Sequence, residues 1–403
     1  MDSLWYTRHA ASCPNYGQFR MRVLTEPNSQ PKIFKSLGKG VYSAVLHLAP
    51  ADRSGHEVCP FRSAGCTQAC LNLSGHALIA VQHEAKERGI SVEDAARDFS
   101  QETVIQRARV GRTERFFEAE QGRRKGRNPT TRELAPFEAS RPQQGEAWSF
   151  WQDLVRDIES VRTTALAKGM QPAVRLNGTS DLPWEAYPVC IDGTTYPNVM
   201  AAFPDVAFYD YSKGDTRVER ALTSSSWPKN YDLTYSLSER PSDWPKAEHI
   251  LDEGGKVAVV FRGHLPSEGG CPTTEDTIGC WRGYPVVDAT KHDARFLDPP
   301  GTISGLVALG MGKNDISGFV HHPDADALPE EVDPDEELEG AARTRVSSWL
   351  RPRSRDDRRA GRMARTDNRS SSGYTVPSLY GGGAEGPRRT LQRRWDERYA
   401  GRR

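Results

Sequence analysis

Seven short apolar runs, separated by polar or helically patterned segments, constrain this chain most. They occupy residues 41–48, 173–177, 206–211, 233–236, 256–261, 285–287 and 303–309. Runs of this length, rich in Val, Ile, Phe and Tyr, read as strands. Helical spacing appears over 66–88, where Ala69, Leu73, Ala77, Ala80, Val81 and Ala85 share one face,. It recurs over 101–118 and over 147–168, the last stopped by Gly169,. Strands alternating with helices argue for parallel βαβ units. The expected fold class is α/β: a partial or open (β/α) barrel of six to seven mostly parallel strands, with a doubly wound sheet as the alternative.

The charge balance is zero, with 54 Lys+Arg against 54 Asp+Glu, but it is unevenly distributed. Residues 324–340 hold nine acidic residues and no basic one, whereas 341–403 hold 17 Arg against six Asp+Glu. Like-charge blocks interrupted by Ser370-Ser371-Ser372-Gly373 and Gly381-Gly382-Gly383 cannot bury enough apolar surface to offset the entropy of ordering,. The chain therefore divides into an N-terminal extension over 1–32, one α/β domain over 33–323 and a disordered acidic-then-basic tail over 324–403. An Arg-, Pro- and Gly-rich insertion lies near 121–144. No run approaches the ~18 consecutive apolar residues of a membrane span, and the first residues lack the apolar core of a signal peptide. A cytoplasmic protein without a membrane partner is expected.

Seven cysteines are too few, and odd in number, for a secreted disulfide scaffold,. In a reducing compartment, clustered thiols more often bind metal or perform chemistry. Cys59, Cys66 and Cys70 form a C-x6-C-x3-C triplet in the segment after the first strand. Thiolates bind iron–sulfur clusters or zinc. Three of them leave one position open on a four-iron cluster, or require a fourth ligand for structural zinc. Cys271 and Cys280 are the fourth-ligand candidates, followed by His47 and His56.

In parallel α/β folds, ligands bind at the carboxyl ends of the strands. Polar residues collect there: Asn177-Gly178-Thr179-Ser180-Asp181, then Asp210-Tyr211-Ser212-Lys213, then Ser236-Leu237-Ser238-Glu239. Asn177, Asp181, Ser212 and Ser236 are the candidate cofactor-pocket residues. Asp210 with Lys213 reads either as an acid/base pair or as an ion pair holding a strand end. Gly38-Lys39-Gly40 precedes a strand and lacks the order of a phosphate loop, so it reads as a tight turn,. His321-His322 beside Asp324 and Asp326 reads as a solvated domain edge. Arg107, Arg109, Arg112 and Arg115, with Arg123, Arg124, Lys125 and Arg127, read as a solvated basic face or a phosphate-backbone contact,.

A cysteine triplet in the loop after the first strand of a partial barrel resembles the radical S-adenosylmethionine enzymes. The resemblance implies a 4Fe-4S cluster on Cys59, Cys66 and Cys70, with S-adenosylmethionine chelated at the fourth iron. It also implies that the segment from Asn177 to Asp181 lies against that cofactor. The spacing departs from the usual C-x3-C-x2-C of that group. A second resemblance covers roughly residues 33–320. Lys35-Ser36-Leu37-Gly38-Lys39-Gly40-Val41-Tyr42-Ser43, Cys59-Pro60, Gly65-Cys66, Cys70-Leu71-Asn72, Arg175-Leu176-Asn177-Gly178-Thr179-Ser180-Asp181 and Phe208-Tyr209-Asp210-Tyr211-Ser212-Lys213 are similar to uncharacterised phage proteins of the gene-product-88-like group. Tyr235-Ser236-Leu237-Ser238-Glu239 and Arg295-Phe296-Leu297-Asp298 extend the match. This implies a phage or prophage origin, placing the protein in the host cell cytoplasm, and implies no particular activity. The alternative function is a zinc-stabilised, nucleic-acid-binding phage protein without catalysis, in which the Arg-rich tail meets phosphates nonspecifically.

Overall fold

In the computed structural model the described residues are 22–27, 31–70, 76–92, 95, 104–124, 135–144, 146–267, 270–271 and 276–324. The acidic and basic tail beyond 324, the core of the insertion and residues 71–75 lie outside them. The strands are β1 (Leu24–Thr25), β2 (Val41–Leu46), β3 (Phe137–Glu138), β4 (Gln171–Arg175), β5 (Val189–Ile191) and β6 (Thr194–Tyr196). They continue with β7 (Ala207–Ser212), β8 (Tyr231–Ser236), β9 (Lys256–Phe261), β10 (Thr277–Trp281), β11 (Tyr284–Asp288) and β12 (Thr302–Val307). The helices are α1 (Pro31–Ser36), α2 (Ala64–Gln68), α3 (His76–Arg88) and α4 (Val104–Arg124). After these come α5 (Phe150–Ala167), α6 (Val199–Ala202), α7 (Asp215–Thr223) and α8 (Asp243–Asp252).

Among the described residues, nine strands form the main sheet, in the order β1-β2-β4-β7-β8-β9-β12-β11-β10. That exceeds the expected six to seven, because β1 and β10 add strands that short or irregular apolar runs conceal, while the run at 285–287 is β11. The pairs from β2 through β4, β7, β8, β9 and β12 to β11 are all parallel; only β1–β2 and β10–β11 are antiparallel. From β2 to β12 the neighbours follow chain order without the reversal that defines a doubly wound sheet,. Part of the N-terminal extension also belongs to the sheet. Leu24 pairs with Leu46, and the Asp157 carboxylate accepts the amides of Val23 at 2.7 Å and Leu24 at 3.0 Å. In the region of the insertion, α4 continues to Arg124 and β3 joins β5 and β6 in a small three-stranded sheet.

Strand side chains alternate between faces with period two. One face supplies Ala44, Leu46, Val174, Phe208, Leu233, Tyr235, Val257, Val259 and Phe261, packed with helix residues such as Leu154, Ile158, Val218, Ala247 and Ile250 into the main apolar core. Consecutive crossovers of one hand place their helices on the same side of a sheet, which is why most of this face is apolar. The opposite face carries Ser43, Arg175, Tyr209, Tyr211, Asp232, Thr234, Ser236, Lys256 and Ser304. The two faces differ sharply in chemistry.

Helix α5 shows how local sequence sets the frame. Ser149 and Gln152 form a reciprocal capping box at its start, and Gly169, at φ 64°, turns the chain into β4,. The single helix expected over 66–88 is instead two described pieces, α2 and α3.

Candidate functional site at the carboxyl ends of the parallel strands

The cysteine loop leaves β2 and returns across the ends of β4 and β8. Cys59 is anchored at its sulfur, which accepts from the Ala51 amide at 3.4 Å and donates to the Thr179 carbonyl at 3.7 Å. Ser63 caps α2 by accepting the Cys66 amide at 3.1 Å,. The cap is held from a distant strand end, because Glu239 accepts both the Ser63 hydroxyl at 2.6 Å and the Gly65 amide at 2.8 Å. Cys66 therefore sits in a turn fixed by the loop after β8. A Cβ on Gly65 would meet the Glu239 carboxylate at 2.8 Å, so only glycine allows that approach.

The three thiols share one electrostatic neighbourhood. Burial pushes the Cys59 thiol well above its ordinary range, and the Cys70 and Cys66 charges push the same way. Burial raises Cys66 to about 11, while Lys213 opposes the rise. Among the described residues, no group of three His, Cys, Asp or Glu side chains is gathered as tightly as a metal would require. The donor set nevertheless suits a soft metal or cluster in type, three thiols on one loop. Binding such a group requires the thiols to close up and to release their protons.

The candidate pocket residues are brought to this rim, each already engaged by neighbours. The Asn177 amide oxygen accepts from Ser180 at 2.8 Å and from the Leu182 amide and Trp184 indole, both at 2.9 Å. Its amide nitrogen donates to the Leu182 carbonyl at 3.0 Å, so this carboxamide shapes the loop after β4 from within. Gly178 lets that loop approach β2, since a Cβ there would stand 2.5 Å from the Leu46 carbonyl. Asp181 accepts the Lys213 amide at 2.9 Å and pairs with Arg217 at 3.0 Å. Ser212 accepts the Gly214 amide at 3.1 Å. Ser236 receives the Lys213 ammonium, which donates to the Ser236 hydroxyl at 3.0 Å and to the Ser236 and Leu237 carbonyls at 2.9 and 3.0 Å. Lys213 thus spends its three protons on β8 and also lies 4.7 Å from the Phe319 ring centre,.

Asp210 does not pair with Lys213. It is fully buried on the helix-covered face, where it accepts the Asn177 amide at 2.6 Å and the Tyr231 hydroxyl at 2.8 Å. Burial raises Asp210 to about 7, against the lowering effect of Arg175, the Asn177 amide, Tyr231 and Arg217. The native state therefore holds a proton that the unfolded chain releases between its ordinary value near 4 and about pH 7. Across that window the Asp210 contribution to stability declines with rising pH, by at most about 1.4 kcal/mol per pH unit. Asp210→Asn is expected to flatten the slope of unfolding free energy between pH 5 and pH 8. Denaturant titrations at several pH values measure it, and an unchanged slope contradicts the assignment.

Other expectations are corrected. Cys271 and Cys280 are joined as a disulfide, so neither thiol is available as a fourth ligand. The sequence places them nine residues apart but does not show that the segment before β10 folds back onto that strand. The His56 ring stacks on Phe117 at 4.1 Å. His47 is buried at the end of β2, lowered to about 3 by burial and by Arg109, Arg175 and Arg112, with Asp293 opposing. The basic stretch of α4 is not simply a solvated face. Arg112 donates to the His47 carbonyl at 3.2 Å, and Arg115 reaches Asp153 at 2.5 Å and the Trp148 carbonyl at 2.9 Å. Side chains 123–127 lie outside the described residues. His321 is partly buried against Trp281 rather than at a solvated edge. Gly38-Lys39-Gly40 forms the expected turn, with Gly40 at φ 72°.

Arg217 is the functional-region residue that sequence reasoning misses. It joins Asp181, Glu185 and Tyr231. Its position in Asp215-Thr216-Arg217-Val218 looks like an ordinary exposed helix start. Asp210 carries a stronger signal, since a carboxylate in the middle of an aromatic strand must find partners.

A family model described as gene product 88 matches residues 119–323. No curated protein and no solved structure matches the chain.

Proposed function

Because the chain belongs to the gene product 88 family, we propose that it is a phage or prophage protein that binds an iron–sulfur cluster through Cys59, Cys66 and Cys70, in the manner of radical S-adenosylmethionine enzymes. The observation that carries this reading is the placement of three thiols in one loop, after the first of six parallel strands that neighbour one another in chain order. That consecutive order, with the helices packed on one face, is what a partial (β/α) barrel has.

When bound, a four-iron cluster with S-adenosylmethionine at its open iron supplies one-electron chemistry. The chain's own residues hold the surroundings. Glu239 fixes the turn that carries Cys66. Lys213 sets a positive charge near Cys66, locked by Ser236 and Leu237. Asp181, oriented by Arg217, and Asn177 shape the adjoining loop. An acidic group near the thiols opposes their ionisation and a cation favours it, so Lys213 is the element that eases thiolate formation.

Anaerobic reconstitution of the full chain with iron and sulfide tests the proposal. The expected product is brown, with broad absorbance near about 400 nm and iron and sulfide in comparable amounts. A colourless protein retaining stoichiometric zinc overturns it in favour of the zinc-stabilised nucleic-acid-binding alternative. A protein that takes up neither metal overturns both.

A further inference from the structure

Among the described residues, the sheet face opposite the helices holds several unpaired buried polar atoms, and three of them gather near the carboxyl ends of neighbouring strands. These three are Arg175 Nε at the end of β4, Tyr211 Oη near the end of β7 and Thr234 Oγ1 in β8. All three are shielded from solvent at the atom itself, and Thr234 is buried throughout its side chain. Buried polar groups are normally hydrogen-bonded, and each one left without a partner costs free energy. Three on one face in one neighbourhood call for an explanation.

They are adjacent. Tyr211 and Thr234 are register partners on neighbouring strands, so their side chains stand side by side on the same face,. The Arg175 guanidinium lies over the Tyr211 ring, 4.6 Å from its centre. Only one edge of that guanidinium is engaged, through its NH1 group 3.3 Å from each Asp293 oxygen. Asp232 on the same face also has an unpaired oxygen, but it sits two residues further from the strand end, with its other oxygen held by Lys256 at 2.6 Å.

The chemistry of the three atoms selects the occupant. Arg Nε is a donor only, and both hydroxyls can donate. A group that satisfies all three must therefore be rich in acceptors. Arg175 supplies the cationic charge within the cluster, while Arg109 and Arg112 act with it on His47 at the neighbouring strand end. The carboxylates that act on Arg175 are Asp293, which its NH1 already meets, and Asp210, which lies on the other face. Arginine is the side chain best matched to oxyanions. Tyr211 and Arg175 are only partly buried, which leaves the cluster reachable from the rim.

We infer that Arg175, Tyr211 and Thr234 form a subsite for an oxyanion, the phosphate or carboxylate group of the protein's substrate. The inference rests on the proposed function only in taking this end of the sheet as the substrate site. It needs no cluster.

The test uses the full chain without added metal, titrated calorimetrically with inorganic phosphate and, separately, with acetate. Saturable binding of one is expected, and which one binds identifies the oxyanion. The Tyr211→Phe, Thr234→Val double variant keeps side-chain shape and removes two unpaired hydroxyls. Its affinity should fall by about tenfold for each lost hydrogen bond to the anion. Its melting temperature should not fall, because no protein partner is lost. Thr234→Ser retains the hydroxyl and should restore most of the binding that Thr234→Val removes. No saturable binding of either anion overturns the inference. So does equal binding by wild type and double variant, or a lower melting temperature with unchanged affinity. Iron uptake is read in a separate experiment, so failure here leaves the cluster reading standing, and the reverse also holds.

Discussion

Replacing Cys66 by alanine should abolish iron–sulfur loading of the full chain. Cys66 is one of three thiols that the loop after β2 supplies, and two thiolates cannot hold a four-iron cluster that expects three. The loss should be nearly complete, with iron and sulfide falling to background in anaerobic reconstitution and the absorbance near about 400 nm disappearing. The turn should survive the substitution, because its hydrogen bonds run through backbone and neighbours: Ser63 accepts the residue 66 amide, and Glu239 holds Ser63 and Gly65. Two controls separate a ligand effect from general thiol chemistry. Cys190 lies on β5 in the small sheet, and Cys271 is committed to its disulfide with Cys280. Cys190→Ala and the paired Cys271→Ala, Cys280→Ala variant should load normally. Retained iron in Cys66→Ala, or lost iron in Cys190→Ala, would sink the assignment of the triplet. Loading should also improve between pH 7 and pH 9. Burial raises Cys66 to about 11, so at neutral pH the incoming metal must displace a bound proton,.

The frame of the molecule is legible because strand and helix periods are local. The run read at 256–261 is β9 to the residue, and its alternation of Val257, Val259 and Phe261 predicts the face that meets the helices. The helix read at 147–168 appears as Phe150–Ala167 because a Ser and a Gly mark its ends. Strands that lack this local pattern escape. β1 has two residues and gains its place from pairing with β2 and from Asp157, both distant in sequence. β10 carries a Gly and a register irregularity that interrupt its alternation.

The candidate site is legible in type but not in wiring. Polar residues at strand ends are visible in the sequence, and Asn177, Asp181, Ser212 and Ser236 do collect at one rim. The Asn177 and Ser212 side chains are held by near neighbours in sequence, but Asp181 and Ser236 depend on Arg217 and Lys213, distant in the chain. Glu239 reaching Ser63 and Gly65, or Arg217 reaching Asp181, has no local signature. The disulfide escapes for a related reason. Two cysteines nine residues apart can bridge, bind metal or stay apart, and only the fold of the chain before β10 decides.

Arg217→Met should be the most destabilising single substitution in the region around the rim, costing about 3–5 kcal/mol, the range for breaking a buried ion pair from one side. Arg217 donates to Glu185 through Nε at 2.9 Å and through NH2 at 2.7 Å, to Asp181 through NH1 at 3.0 Å, and to the Tyr231 hydroxyl at 2.8 Å. Its side chain is 5% exposed, and those of Asp181 and Glu185 are 10% and 7% exposed. One guanidinium thus bonds two carboxylates that water barely reaches. Methionine fills a similar volume and leaves both carboxylates buried without their cation. The effect has a pH signature. Burial already raises Asp181, and Arg217 is the main opposing influence. Without it the native Asp181 carboxyl rises further, while the unfolded chain keeps its ordinary value. Native-state proton uptake then relieves the defect at low pH, and the deficit grows as pH rises. Denaturant unfolding should therefore show a smaller gap between variant and wild type at pH 5 than at pH 8. Adding Asp181→Asn and Glu185→Gln to Arg217→Met should recover a large share of the loss, because no buried charge then remains uncompensated. Arg162, whose partner Asp205 lies beside it at the surface, provides the contrast. Arg162→Met should leave stability unchanged within error, since an exposed pair is screened by solvent. Equal losses for the two methionine variants, or no recovery in the triple variant, would show that Arg217 contributes packing rather than charge compensation.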